Sequence, residues 1–532
     1  MSFIDDKVVR WVEHGIVICA TLYTTRQLFS GRGLVSNVSA FVLRSLKHVP
    51  GVAGAVAKEQ DAAVAGIRAQ LLEAEAKLDN RFGNRLALPS DGVPRDELLA
   101  VLRSWRAAES AFRAGKQFGG IYSDDGELKA VEVEAMAIFY DSNALYPTIF
   151  PSLRKMEVEV VNMTLALLHG KIGDACGVMT TGGTESIVLM VKAYKDRARA
   201  LKGITEPEAV LPISAHAAHA KGCAYFGVKI VTAPVDANGR VIVSAVRQLI
   251  NRNTIFIVGS APAFPQCVID PIEQLGQLAL ERDVGLHVDA CLGAYILPFF
   301  VELGYLDAKF DFAVDGVTSI SADIHKFGFG PKNASTILYR SRDLRKYQFY
   351  AYADWSGGIY SSPSITGSRS GGTIAAAWAT MMTLGANGYK KKAVEMHDKL
   401  TRMVKGIALI PHLRVLGPPE ACGVSFAVKS DSPVFKEPKD IYKIADAMGA
   451  PGRDWSFPRL MNPISCMIQV AANKRFDVDL FLKDLADSVA EVENEPTKYG
   501  EGMAKLYGIA ATVPERSIIT DLLTSYLDAV FI

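Results

Sequence analysis

The sequence predicts an α/β protein with a mostly parallel central sheet, followed by a smaller α+β domain. Three observations predict it. From about Pro151, helix-like stretches alternate with the short apolar runs VKIVTAPV, TIFIVGSA, VGLHVDA and STILYR. Such alternation buries parallel strands beneath crossover helices. Asp289 and Lys326 each stand just past an apolar run, and ligands of parallel sheets gather at the carboxyl ends of strands. Beyond about Gly385 the texture changes to a long helix over 389–407, then strand-like FAVKS and CMIQVAA.

Residues 1–60 read as a helical arm broken at Gly31, Gly33, Gly51 and Gly54. Its apolar run GIVICATLY, nine residues flanked by charges, is well short of the roughly 20 that span a bilayer. It reads as an amphipathic helix packing on a partner subunit, with peripheral contact to a membrane surface as the alternative. Residues 61–150 form a second helical segment contributing to a dimer and its active site. It has an amphipathic helix over 61–78, a linker over 80–94 with Pro89 and Pro94, and a helix over 96–116. The large domain spans 151–385 and the small one 386–532, closing on a helix after Pro514.

Among 532 residues, 58 basic side chains balance 57 acidic ones, so no overall field draws the chain to nucleic acid or acidic lipid. The seven cysteines are scattered, without a C-x-x-C pair. That argues against a disulfide framework or a zinc knuckle, and fits a reducing, cytoplasmic setting.

Five segments carry chemistry. MTTGGTESI offers Gly182 and Gly183 for a tight turn and Thr184 at a helix start, where free N–H groups bind phosphate; a plain capped helix start is the competing reading. SAHAAHAKG offers His216 and His219, either able to stack on a pyridine ring. A metal reading of that pair lacks a third ligand at suitable spacing. Asp289 in LHVDACLG is costly to bury unpaired, and a protonated pyridine nitrogen would supply its partner. Lys326 in SISADIHKFGFGPK suits a Schiff base with pyridoxal phosphate. Lys332 is a nearby cation expected to lower its pKa. Finally, GGIYSSPSITGSRSGG reads as a loop bringing backbone and Arg369 to an anion. Each segment has a bland alternative, but together they follow the order of one reaction centre.

These segments, with GKQFGGIYS, FPSLRKMEVEVV, FPQCVIDPI and DWSGGIYSSP, resemble sphingosine-1-phosphate lyases, in the group II decarboxylase branch of pyridoxal phosphate enzymes. The resemblance runs from about Gly115 to the C-terminus. It implies a fold-type I homodimer with shared active sites. It makes Lys326 the Schiff-base lysine, Asp289 the partner of the pyridine nitrogen and His216 the stacking residue. Gly183, Thr184, His325, Ser260 and Gly372 would complete the cofactor site. Tyr122, Asn143, Tyr146, Lys332, Tyr360 and Arg369 match positions that bind substrate phosphate or move protons, with Tyr122 and Arg369 reaching across the subunit boundary.

The chain departs from the family in three places. NALYP puts Tyr146 where the family has histidine in NPLHP. HKFGFGPK has Phe327 and Phe329 in place of tyrosines. APAFPQC replaces TPQFPHG, bringing Ala263 and Gln266. The implied activity is retro-aldol cleavage of a phosphorylated long-chain base to an aldehyde and phosphoethanolamine. An amino-acid decarboxylase on the same scaffold is the alternative, with Arg369 then binding a carboxylate. A cofactor-free scaffold protein is a third reading, opposed by the intact Lys326 and Asp289.

Overall fold

Seven strands form the central sheet: β1 (Cys176–Thr180), β2 (Glu208–Pro212), β3 (Lys229–Ala233), β4 (Thr254–Ser260), β5 (Gly285–Asp289), β6 (Val317–Ala322) and β7 (Ser335–Tyr339). Their order is β1-β7-β6-β5-β4-β2-β3. β7 runs against both neighbours, and the remaining pairs are parallel. Every residue of β4, TIFIVGS, is buried, as a strand covered on both faces requires. The alternation of apolar runs misses β1, β2 and β6. β6 reads VTSISA, and its hydroxyls hide the strand from a hydrophobic scan.

This is a computed structural model describing residues 65–531, apart from 67, 70, 74, 84–86, 110–113, 501–503, 505–506, 509–510 and 512–515. The N-terminal arm, with its apolar run and expected membrane contact, lies outside the described residues. The chain divides into two units, Met1–Phe112 with Glu501–Ile532, and Arg113–Gly500. Described helices of the first unit include Arg95–Ala108 and the closing helix Arg516–Val530. The sheet and the candidate site belong to the second.

In the second unit, α1 (Gly126–Ile138) and α2 (Pro151–Leu167) precede the sheet. α3 (Gly183–Lys202) follows β1, and α4 (Ala217–Phe226) follows β2. α5 (Gly371–Leu409) is longer than the expected 389–407 span, and Gly385 interrupts it with φ 54° and ψ 179°. The loop expected over 357–372 is therefore shorter. It contains the short strand Tyr360–Ser362 and ends at Ser370, whose hydroxyl caps α5 by accepting from the Thr373 N–H. The glycines that suggested a loop serve close packing instead. A Cβ on Gly371 would lie 2.7 Å from that of Ser142.

A short hairpin, β8 (Tyr350–Tyr352) with β9 (Tyr360–Ser362), leaves Tyr350, Trp355 and Ile359 exposed. The smaller sheet is antiparallel: β10 (Leu413–Leu416), β11 (Gly423–Val428), β12 (Arg459–Met461) and β13 (Ile464–Gln469), in the order β10-β11-β13-β12. Helices Asp440–Met448 and Val478–Asn494 pack with it.

An aromatic cluster ties the segment before α1 to this smaller sheet. Phe118 stacks on Trp455 at 5.9 Å and meets Phe476 and Phe481 edge-on at 4.9 and 5.6 Å. The Phe118 N–H donates to Ser456 O, and the Ser456 N–H to Lys116 O. Tyr122 follows four residues later and is carried into the site by this anchor. Phe118→Ala is expected to cost about 3–5 kcal/mol, measured by denaturant unfolding, with the melting of the smaller domain moving first.

Candidate active site

β1 ends in a turn that opens α3. Gly182 has φ 151°, outside the comfortable range of other residues. A Cβ on Gly183 would lie 2.6 Å from Asp323 Oδ2 and 2.8 Å from Cys291 Sγ, so only glycine fits. The first N–H groups of α3 have no partner in the preceding turn, and its dipole adds positive character there. Thr181, Gly182, Gly183 and Thr184 line a cavity of about 570 Å³. Buried Glu185 holds the turn in shape. One oxygen accepts from the Thr181 N–H and hydroxyl at 2.6 and 2.7 Å, the other from the Ile365 N–H at 3.0 Å.

The strand register brings the next residues together. Ser260 pairs with Asp289, and Asp289 with Ser321. Asp289 Oδ1 accepts from the Cys291 N–H at 3.1 Å and the Ser321 hydroxyl at 3.2 Å. Burial alone would raise the pKa of this carboxyl. The charges at His219 and Lys326 and the Cys291 hydrogen bond outweigh it and hold the group well below the usual carboxylate range.

Lys326 lies on the turn after β6, its Nζ 2.9 Å from Asp323 Oδ2. The expectation of a lowered lysine pKa is corrected. Burial does pull it down, but Asp323, Cys291, Tyr122 and Asp289 together raise it above the ordinary value. Lys332 shows the opposite result: burial and then Lys326 lower its pKa. Asp323 was missed by sequence reasoning, though DIHK carried its signal three residues before the lysine. It is 1% exposed, and its Oδ1 has no hydrogen-bond partner.

His216 caps α4, its Nδ1 accepting from the Ala218 N–H at 3.1 Å, and its exposed ring lines the cavity. His219 is buried, Nδ1 against His216 O, and burial lowers its pKa. Of the two histidines, only His216 lines the cavity. His325 Nδ1 donates to Ala334 O at 2.9 Å, and its Nε2 lies 3.8 Å from Asp323 Oδ2. Tyr122 also lines the cavity, with Lys332 Nζ 5.0 Å from its ring centre and Phe327 edge-on at 4.9 Å. Burial pushes its phenol up to about 12. Phe327 and Phe329 are both buried.

One chain thus gathers Tyr122, Gly183, Thr184, His216, Ser260, Asp289, His325, Lys326 and Lys332 around a single cavity. Tyr122, expected to reach across a subunit boundary, is supplied by the same chain. Asn143, Tyr146, Tyr360, Arg369 and Gly372 are not among the residues lining it. Arg369 is also not offered to an anion: its guanidinium pairs bidentately with Glu157 at 2.6 and 2.9 Å. Gly372 lies inside α5, where a Cβ would come 3.0 Å from Met136 O. Asn143 is tied to the same region, donating to Ser368 Oγ and accepting from the Arg369 N–H. Tyr360 packs near Tyr350 and Trp355 of the exposed hairpin.

The chemistry of the lining fits pyridoxal phosphate. A cradle closed to any side chain would meet the phosphate, a buried carboxylate ends β5, and Lys326 lines the same cavity. His287, on the same strand as Asp289, is also fully buried. Burial first, then His219, push its imidazole down from 6.5 to about 3 against the pull of Asp289. In this range the unfolded chain binds the extra proton, so the stabilising contribution is present above pH 6.5 and lost as pH falls toward 3. Stability should therefore fall by about 1.4 kcal/mol per pH unit from this group between roughly pH 6 and 4. Denaturant unfolding across that range should show a slope that His287→Gln flattens.

Residues 117–429 match the family model described as the pyridoxal-dependent decarboxylase conserved domain. A sphingosine-1-phosphate lyase of Arabidopsis thaliana is 40% identical over 506 residues, covering 94% of this chain and 90% of that one. Sphingosine-1-phosphate lyase 1 of Rattus norvegicus is 41% identical over 460 residues, 86% of this chain and 78% of its own. A solved sphingosine-1-phosphate lyase from Burkholderia pseudomallei superposes with a TM-score of 0.74 at 38% identity, covering 84% of this chain and 98% of that one. Glutamate decarboxylase of Lactobacillus brevis, at 20% identity and a TM-score of 0.66, shares the fold. The chain belongs to the pyridoxal-dependent decarboxylase family, in the branch of the sphingosine-1-phosphate lyases.

Proposed function

We propose that the chain is a pyridoxal-phosphate-dependent lyase that cleaves the Cα–C3 bond of a phosphorylated long-chain base, releasing a long-chain aldehyde and phosphoethanolamine. The observation that carries this reading is the cavity itself, in which Lys326, Asp289, His216 and the glycine turn meet within one chain. The cofactor, when bound, supplies an aldehyde to capture the substrate amine and a ring to accept the electron pair of the broken bond. Lys326 would carry it, Asp289 would face its ring nitrogen and His216 would cover one ring face. The first turn of α3, with Ser260 and His325 nearby, would hold its phosphate.

Proton movement falls to the groups able to give or take one at neutral pH. Tyr122, pushed up to about 12, keeps its proton and serves as a hydrogen-bond donor. Lys332, its pKa lowered by burial and by Lys326, gives up a proton more readily than Lys326, whose pKa is raised. It would take the proton of the substrate C3 hydroxyl, while Lys326, released by the substrate amine, is held as an ammonium by Asp323.

The cation content of the lining favours the lyase over an amino-acid decarboxylase. Lys221, Lys326 and Lys332 are described there, and no arginine is. A carboxylate substrate is best gripped by an arginine fork, whereas lysine serves phosphate as a point charge; Arg369 is committed to Glu157.

Asn143, Tyr146 and Tyr360 would join a reaction centre in a homodimer. Ile138, Tyr140, Ile149 and Ile359, close to them in sequence, are exposed, and exposed apolar side chains of this kind suit contact with a second copy. No described helix is long and apolar enough to cross a membrane. The proposed setting is cytoplasmic, with residues 1–60 proposed to pack on a partner subunit and peripheral membrane contact through them as the alternative.

Lys326→Ala should abolish both turnover and the absorbance band near about 420 nm of the lysine-bound cofactor. Retention of wild-type turnover would reassign the nucleophile. Carbon dioxide from an amino acid, with no aldehyde from sphingosine 1-phosphate, would replace the lyase reading with the decarboxylase one. Tyr146→His should increase the preference for phosphorylated over unphosphorylated bases by about tenfold, the worth of one charge-assisted hydrogen bond. Turnover of both substrates by wild type and variant gives the ratio.

A further inference from the structure

Behind Asp289 runs a line of buried polar groups that the reaction does not use. Ser321 Oγ is 3.2 Å from Asp289 Oδ1 and 3.2 Å from His287 Nε2. On the far side of that ring, Nδ1 is 2.8 Å from Ser319 Oγ. Ser319 Oγ is 2.8 Å from the Tyr194 hydroxyl, which lies 2.6 Å from Thr318 Oγ1. Ser319, Ser321 and His287 are 0% exposed and Tyr194 3%. The line follows β5 and β6 from the cofactor end of the sheet to the opposite end. There Tyr194 and Thr318 border a second cavity, of about 230 Å³.

Valence sets the direction of each hydrogen bond. An ionised carboxylate only accepts, so the Ser321 hydroxyl donates to Asp289. Its one hydrogen is then spent, so His287 must donate to it through Nε2–H. The Cys291 thiol, 3.3 Å away, fills the other Ser321 lone pair. A neutral imidazole protonated at Nε2 has a bare Nδ1, so Ser319 donates to it. Ser319 then accepts from Tyr194. Burial supports both assignments, keeping His287 neutral and lifting the Tyr194 phenol to about 12. Thr318, also 3.1 Å from the Leu286 N–H and carbonyl, anchors the far end.

We propose that Tyr194, Ser319, His287 and Ser321 form a one-way chain of donors that keeps Asp289 ionised and aimed, making His287 a positioning residue for the ring nitrogen of the cofactor. Each bond polarises the next in a low-dielectric interior. The accumulated positive edge falls on Asp289 Oδ1, which leaves Oδ2 for the ring nitrogen. The proposal rests on Asp289 being the partner of that nitrogen.

The test uses holoenzyme reconstituted with pyridoxal phosphate labelled with ¹⁵N in the ring, and reads the nitrogen resonance. Asp289→Asn establishes the reading beneath: it should move the resonance to the unprotonated position. If it does not, the partner assignment itself fails. Given that shift, His287→Leu should move the resonance in the same direction and lower kcat by about tenfold, the worth of one hydrogen bond to a charged group, with KM little changed. His287→Gln, which can donate and accept at the two ends of its amide, should recover most of both. Tyr194→Phe, remote from the cavity that holds Lys326, should give a smaller shift of the same sign, and it carries the test if His287→Leu does not fold. A wild-type resonance in His287→Leu, or in Tyr194→Phe should His287→Leu not fold, overturns the proposal. So does a Gln variant no better than Leu.

Discussion

A cation and two carboxylates share one largely buried pocket, and the site is built around keeping them in balance. Lys326, Asp323 and Asp289 are all withdrawn from solvent at the ends of neighbouring strands. Buried charges persist only when paired and hydrogen-bonded. Asp323 takes the lysine directly, at 2.9 Å. Asp289 is held by the Cys291 N–H and the Ser321 hydroxyl. The strand register supplies this second arrangement, since β4, β5 and β6 end level with one another and set Ser260, Asp289 and Ser321 side by side.

The same balance accounts for the split between the two lysines of SISADIHKFGFGPK. Six residues apart in sequence, they share a cavity but not an environment. Lys326 faces carboxylates and is held charged. Lys332 faces Lys326 and the ring of Tyr122 and is eased toward neutrality. A site that must both retain one amine and move a proton through another is served by this difference. It comes chiefly from Asp323, 2.9 Å from Lys326 Nζ, with Cys291, Tyr122 and Asp289 acting in the same direction.

Much of this was legible in the sequence, and what was not has identifiable causes. β4 was visible because its residues are apolar on both faces, and β5 because Leu286 and Val288 extend the apolar run from Val284. β6 was not, because Ser319 and Ser321 point into a buried polar line that no hydrophobic scan registers. The grouping of residues around the cavity followed from short motifs in which sequence neighbours remain spatial neighbours: TTGGT, HVDA and DIHK. Arg369 was misjudged because its partner, Glu157, lies 212 residues away. Pairing across that distance leaves no local signature. The raised pKa of Lys326 was missed for a related reason. Lys332 was counted as its neighbour, while the closer Asp323 went unweighed. Gly371 and Gly372 look like loop residues in sequence. They are helix residues chosen for the thinness of their backbone, which lets α5 press against Ser142 and Met136.

Glu185 joins two parts of the molecule with one side chain. Its oxygens grip Thr181 in the glycine turn and the backbone of Ile365, just past the exposed hairpin. The segment leading to Ser368 and Arg369 is therefore fastened to the rim of the cavity. Whatever fills the turn also steadies the strip of chain that holds Asn143 in place. One carboxylate thus makes the glycine turn and the strip beginning at Ile365 a single mechanical unit at the mouth of the cavity.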